Sequence, residues 1–150
     1  MADDCHVDIT RHGSRPSVRG PAQTFTGSVI VDPLLDATEH TRATGGLVTF
    51  EPGARTAWHT HPAGQTLIVT SGTGWVQELG GQRRHLQPGD VIWIPPDVKH
   101  WYGATATNRM SHIASTNVLD GKNVDWMEQV SGEENGAVAG VGVAPRRNER

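Results

Sequence analysis

Residues 53–65 read Gly53-Ala54-Arg55-Thr56-Ala57-Trp58-His59-Thr60-His61-Pro62-Ala63-Gly64-Gln65, and they run on into the apolar stretch Thr66 to Thr70 and the pair Ser71-Gly72. On a β-strand, residues two apart share a face, so His59 and His61 point the same way and can both reach one ion. Pro62 to Gly64 supplies the turn that returns the chain. Gln65 opens the next strand, where its side-chain oxygen can meet the same ion from a neighbouring strand. A fourth ligand has to come from elsewhere, and His100 follows the apolar strand Val91 to Ile94 and the turn Pro95-Pro96-Asp97.

Outward from this stretch the same punctuation continues. The 18 Gly and 9 Pro of the 150 residues are spread between short apolar runs, a pattern of many strands joined by tight turns. Strands are expected near Thr24 to Val31, Gly46 to Glu51, Ala57 to His61, Gln65 to Ser71, Gly74 to Leu79, Arg83 to Leu86, Asp90 to Ile94, Lys99 to Tyr102 and Arg109 to Val118. Only Asn123 to Val130 reads as a helix, with an apolar face from Val124, Met127 and Val130. The expectation is an all-β sandwich or barrel with a short C-terminal helix. The length fits one domain, taken as residues 21–131, with a loosely held arm over 1–20 and a disordered tail over 132–150, which has small residues and no aromatic.

The formal net charge is −3, and no Lys or Arg block is longer than the pairs Arg83/Arg84 and Arg146/Arg147, so the chain offers no electrostatic footprint for nucleic acid. Met1 to Pro21 lacks the apolar core of a signal peptide, and no run is long enough to span a bilayer. No membrane association and a cytoplasmic location are the expectation. The single cysteine, Cys5, reads as a surface thiol. Apolar strands such as Val91 to Ile94 exceed what one small barrel buries, which points to a homodimer or homotetramer.

An isolated His-x-His is often no more than a surface strand, and a lone His beside an apolar run is usually structural. Their combination carries the weight. Gly53, five residues, His59-x-His61, three residues, Gln65, six residues and Gly72 resemble the first motif of the cupin superfamily; Gly89, five residues, Pro95-x-Asp97, two residues and His100 resemble the second. The second motif departs from the pattern with Asp97 where Gly is usual and Ala104 where Asn is usual. Asp tolerates a left-handed backbone better than most residues, so the turn can survive. The resemblance implies a double-stranded β-helix, or jelly-roll barrel, holding one divalent transition metal on His59, His61, Gln65 and His100.

In the common cupin pattern a glutamate stands where this chain has Gln65. Three neutral imidazoles and an amide leave nearly the whole dication uncompensated, which favours an anionic ligand or transition state. The nitrogen and oxygen donor set suits Mn(II) or Fe(II), with Zn(II) or Ni(II) also accommodated. His6, His12, His40 and His85 lie in polar or loop sequence and receive no role. Trp58 and Trp101 flank ligands but fall on the opposite strand face.

Through FTGSVIVDPL, TFEPGARTAWHTHPAGQTLIVTSGTGW, GDVIWIPPDVKHWYGA and LDGKNVDWMEQV, from about Gly20 to Val130, the chain is similar to the bacterial cupin-type hydroxynitrile lyases. That resemblance implies a single-barrel oligomer acting on a small molecule, with a pocket histidine matching His112. The pocket it implies is shaped by Gly46, Val48, Tyr102 and Thr116. Tyr102 stands where those lyases tend to carry His, and Thr116 where a Gln is expected. The implied reaction is cleavage or formation of (R)-cyanohydrins, with the metal as Lewis acid and His112 moving the proton. Other metal-dependent cupin chemistry (oxygenase, isomerase or decarboxylase) and a non-catalytic small-molecule-binding cupin are the alternatives.

Overall fold

Strands form where apolar and polar residues alternate, and tight turns form where Gly, Pro and Asp cluster. The computed structural model describes residues 6–136. In chain order the strands are β1 Val18–Arg19, β2 Phe25–Thr26, β3 Val29–Leu35, β4 Ala43–Phe50, β5 Arg55–Thr56, β6 His59–Thr60, β7 Gln65–Gly72, β8 Gly74–Glu78, β9 Arg84–Leu86, β10 Val91–Ile94, β11 His100–Ala104, β12 Met110–Asn117 and β13 Asp125–Trp126. One sheet runs β1-β3-β4-β12-β7-β10 and the other β13-β6-β11-β5-β2, with β8 on β11 and β9 on β8. Every pairing is antiparallel. The fold is the all-β barrel expected.

β7 shows how the period of two builds the interior: Gln65, Leu67 and Val69 are buried while Ile68 and Thr70 face out. Between the sheets Val29, Phe50, Leu67, Val69, Ile94, Tyr102 and Met110 form one core. On the far face of the second sheet Trp58, Trp75, Trp101 and Val130 form another. Trp58 and Trp101 belong there because they alternate with His59 and His100. At Gly72 the chain turns with φ +76°, and a Cβ would lie 1.8 Å from the Arg109 carbonyl oxygen, so only glycine fits. Asp97 adopts φ 64° as the motif requires, and its N–H donates to the His61 carbonyl at 3.0 Å.

The expected helix over Asn123 to Val130 does not form. Asp125 and Trp126 pair instead with Thr60 and His59 as β13, the Met127 N–H donates to Trp58 O at 2.8 Å, and the Trp58 N–H donates to Glu128 O at 2.9 Å. β6 would otherwise leave its outer edge unpaired, and satisfying those backbone groups outweighs the weak 3.6-residue periodicity. Val130 then closes the tryptophan cluster at 2% exposure.

Within the stretch read as an N-terminal arm, β1 pairs with β3. Ser131 to Gly136 turn back onto the barrel, where Arg83 donates to the Asn135 carbonyl. The rest of the expected tail, and Cys5, lie outside the described residues. On edge strand β10, Val91 and Trp93 are 66% and 57% exposed beside half-exposed Ile68 of β7. Among the described residues no helix is long and apolar enough to cross a membrane.

Candidate metal centre

β6 carries His59 at its start, the turn that follows carries His61, and β11 opens on His100, which pairs in register with His59. Each of the three rings is fixed from behind by a backbone carbonyl. His59 Nδ1–H donates to Ala57 O at 2.8 Å, His61 Nδ1–H to Asn123 O at 2.7 Å, and His100 Nδ1–H to Val98 O at 2.9 Å. A carbonyl can only accept, so each Nδ1 holds the proton and each Nε2 presents a lone pair. The three Nε2 atoms are buried with no hydrogen-bond partner. The ligand atoms of the three lie within 4.8 Å of one another. Three convergent lone pairs with no proton donor among them fit a divalent cation, and the carbonyls behind them are the support such ligands need.

Electrostatics keeps the cluster neutral. Burial pushes His59 well below the ordinary imidazole range, with His100 and His61 adding to the effect. Burial likewise lowers His100 to about 4, against the Val98 carbonyl, which raises it. His61 is lowered by burial, with Asn123, Gln65 and Asp125 pulling the other way. Neutral imidazole is the metal-binding form, so the site is ready for an ion at any pH near neutrality.

Gln65, 4% exposed at the start of β7, stands beside His61. Tyr102 Oη donates to Gln65 Oε1 at 2.9 Å, and Gln65 Nε2 donates to Thr116 Oγ1 at 2.9 Å. Thr116 of β12 sits opposite Gln65 in the sheet register. Tyr102 lies among the imidazoles, its ring centroid 5.3 Å from that of His59, 5.5 Å from His100 and 5.1 Å from His112. Burial pushes its phenol up, so it remains a hydrogen-bond donor.

A cavity of about 360 Å³ opens onto His61 and Gln65. Gly46, Val48, Tyr102 and Thr116, the four residues expected to shape a pocket, all line it, together with Phe25, Val31, Phe50 and Trp126. Its wall is largely apolar and aromatic. His112 is one layer deeper. It is fully buried, its ring centroid lies 5.4 Å from that of Phe50, and both of its nitrogens lack partners. Burial lowers its pKa to about 4. A second cavity, of about 350 Å³, lies between β8 and β9 on one side and β10 on the other, and touches His100 from there.

Several residues here lie outside the two spacing motifs and received no individual role from the sequence. Phe25 and Trp126 pack on each other with centroids 5.7 Å apart at the cavity wall, although 101 residues separate them, and neither belongs to a motif. Asn123 contributes a backbone carbonyl, which no side-chain pattern reports.

Residues 46–115 match the family model described as "Cupin domain". The chain is 56% identical over 128 residues, 85% of its length and 98% of the relative's, to a protein of Granulicella tundricola named (R)-mandelonitrile lyase. Among solved structures it is similar to a cupin-like protein from Thermotoga maritima, at 42% identity and TM-score 0.73, covering 86% of this chain and 95% of that one. A cupin 2 conserved barrel domain protein from Rhodopseudomonas palustris, at 14% identity and TM-score 0.64 over 81% of each chain, shares the fold.

Proposed function

The chain belongs to the cupin family, and from that premise we propose that it is a metal-dependent lyase cleaving an (R)-cyanohydrin to an aldehyde and cyanide, or running the addition in reverse. The observation that carries the proposal is an apolar, aromatic-walled cavity that opens onto His61 and Gln65, beside a cluster of three imidazoles whose Nε2 atoms carry no proton. The 56% identity to a protein named as such a lyase supports the substrate class. His59, His61, His100 and Gln65 would hold one divalent ion, Mn(II) or Fe(II) by preference and Zn(II) or Ni(II) as alternatives. Bound there, such an ion supplies a Lewis acid for the substrate oxygen or the departing cyanide.

The remaining work falls to the chain itself. Phe25, Phe50 and Trp126 give an aryl group apolar surface to bury, and Val48 with Gly46 leaves room beside it. His112, neutral and unpartnered, is the group to take the hydroxyl proton as the carbon–cyanide bond breaks. It packs against Phe50 and Tyr102, two of the residues that line the cavity.

Protein loaded with Mn(II) or Fe(II) should release benzaldehyde from mandelonitrile well above the buffer rate, followed by ultraviolet absorbance. Fully loaded protein that gives no benzaldehyde above that rate removes the lyase reading. The recessed position of His112 favours a second reading in that event, a cupin that binds a small molecule without turning it over.

The exposed Val91 and Trp93 on edge strand β10 support self-association as a homodimer or homotetramer through that face. Size-exclusion chromatography with light scattering should show at least twice the chain mass. A monomer at high protein concentration contradicts it.

A further inference from the structure

We propose that Tyr102 is a positioning residue for the metal centre: its hydroxyl fixes the Gln65 amide with the oxygen, not the nitrogen, toward the imidazoles. The inference rests on the metal-centre part of the proposed function and is independent of the reaction.

A glutamine offers two ends of nearly equal size and opposite use. Its oxygen has lone pairs for a cation, whereas its NH2 has only donors and repels one. Rotation of the amide by half a turn therefore switches the fourth position from ligand to obstacle. The obstacle has a partner waiting. His61 Nδ1 is committed to the Asn123 carbonyl, so His61 Nε2 is a bare acceptor. With no ion present, a rotated Gln65 can satisfy that nitrogen with an N–H and block the site.

What opposes the rotation is the pair of hydroxyls on either side of Gln65, Tyr102 Oη on Oε1 and Thr116 Oγ1 on Nε2. They are not equivalent. A phenol is a good donor and a poor acceptor, because its lone pair is drawn into the ring. An aliphatic hydroxyl accepts well. The phenol on one side and the alcohol on the other therefore favour the oxygen toward Tyr102 and the NH2 toward Thr116. Gln65 and Tyr102 are 4% and 5% exposed, and these two hydroxyls are the side-chain partners the fold holds against the amide. Tyr102 is also held from its backbone, where its N–H donates to Thr56 Oγ1 at 3.2 Å. Glutamate at position 65 would need no such device, since its two oxygens are interchangeable.

The test uses Co(II) titrated into the metal-free full chain, with uptake and ligand number read from the visible spectrum. Tyr102→Phe, which keeps the ring and removes only the hydroxyl, should bind Co(II) about 10- to 100-fold more weakly, the usual cost of losing a group that orients a ligand. In a Gln65→Glu background the same Tyr102→Phe change should weaken binding by less than about threefold, because the carboxylate has no wrong way round. A role for Tyr102 in packing alone would weaken both backgrounds equally. If wild-type protein takes up no Co(II), the metal centre and this inference fall together. If wild type binds and Tyr102→Phe binds as well, or loses the same factor beside Gln65→Glu, the inference alone is overturned.

Discussion

Protein with His61 replaced by alanine should purify without metal under conditions in which the wild type carries close to one ion per chain, and His59→Ala should do the same. Each ring supplies one of the three bare Nε2 atoms, and no other His, Cys, Asp or Glu among the described residues joins their group. Losing a group that merely orients a ligand costs about 10- to 100-fold in affinity, so losing the ligand itself should cost at least about a hundredfold. His61→Ala has a second effect, because the Asn123 carbonyl loses the Nδ1–H it accepts from. Elemental analysis settles the point, and ion retained by both variants would dispose of the proposed centre. Thermal melting gives an independent reading. An ion bound only by the folded chain stabilises it by about 2.7 kcal/mol at a hundred times Kd, so added metal should raise the wild-type Tm and leave His61→Ala unmoved.

His112→Ala should keep its metal and lose on the order of a hundredfold or more in turnover, the usual contribution of a positioned base. Retained metal separates a chemical role from a collapsed barrel, since His112 touches Phe50 and Tyr102 rather than the three ligands. The pH dependence follows from burial. With its pKa lowered to about 4, His112 is neutral at pH 7 and stays so into mild acid. Activity should therefore persist below the ordinary imidazole range and fall as pH drops through about 4. The same shift governs stability. Above the unfolded imidazole pKa, about 6.5, both states hold His112 neutral and it contributes no slope. Between there and about 4 the unfolded chain binds a proton that the folded chain declines, so stability falls with falling pH. Denaturant melts at successive pH values should show that slope reduced in His112→Ala. An active variant with unchanged turnover would leave the lyase reading standing and remove His112 from it.

The proposed ligands were legible because they obey a short-range rule. The period of two on an extended chain puts His59 and His61 on one face, and the Pro62 to Gly64 turn brings Gln65 back beside them. His100 needed the motif as well, since its distance from the others is set by the whole barrel. The segment Asn123 to Val130 was misread for the opposite reason. Its helical spacing of Val124, Met127 and Val130 is a local signal, and the unpaired edge of β6 is a tertiary demand that local spacing cannot report. The depth of His112 escaped in the same way. Alternation on β12 puts it on the inward face with Thr116, but only the rings of Phe50 and Tyr102 decide that Thr116 reaches the cavity and His112 does not.

The β13 segment also sets the smallest portable unit of this centre. Residues 46–115 match the family model, yet the carbonyl that fixes the His61 tautomer comes from Asn123, the strand that seals His59 is Asp125–Trp126, and the residue that pins the segment is Val130. A chimaera joined to a relative at the borders of the matched span would inherit all four proposed ligands while borrowing the clasp behind two of them from a foreign sequence. Exchange of barrels between relatives therefore has its natural crossover points outside Phe25 and Val130, and libraries aimed at the ion should treat Asn123 to Val130 as part of the ligand shell.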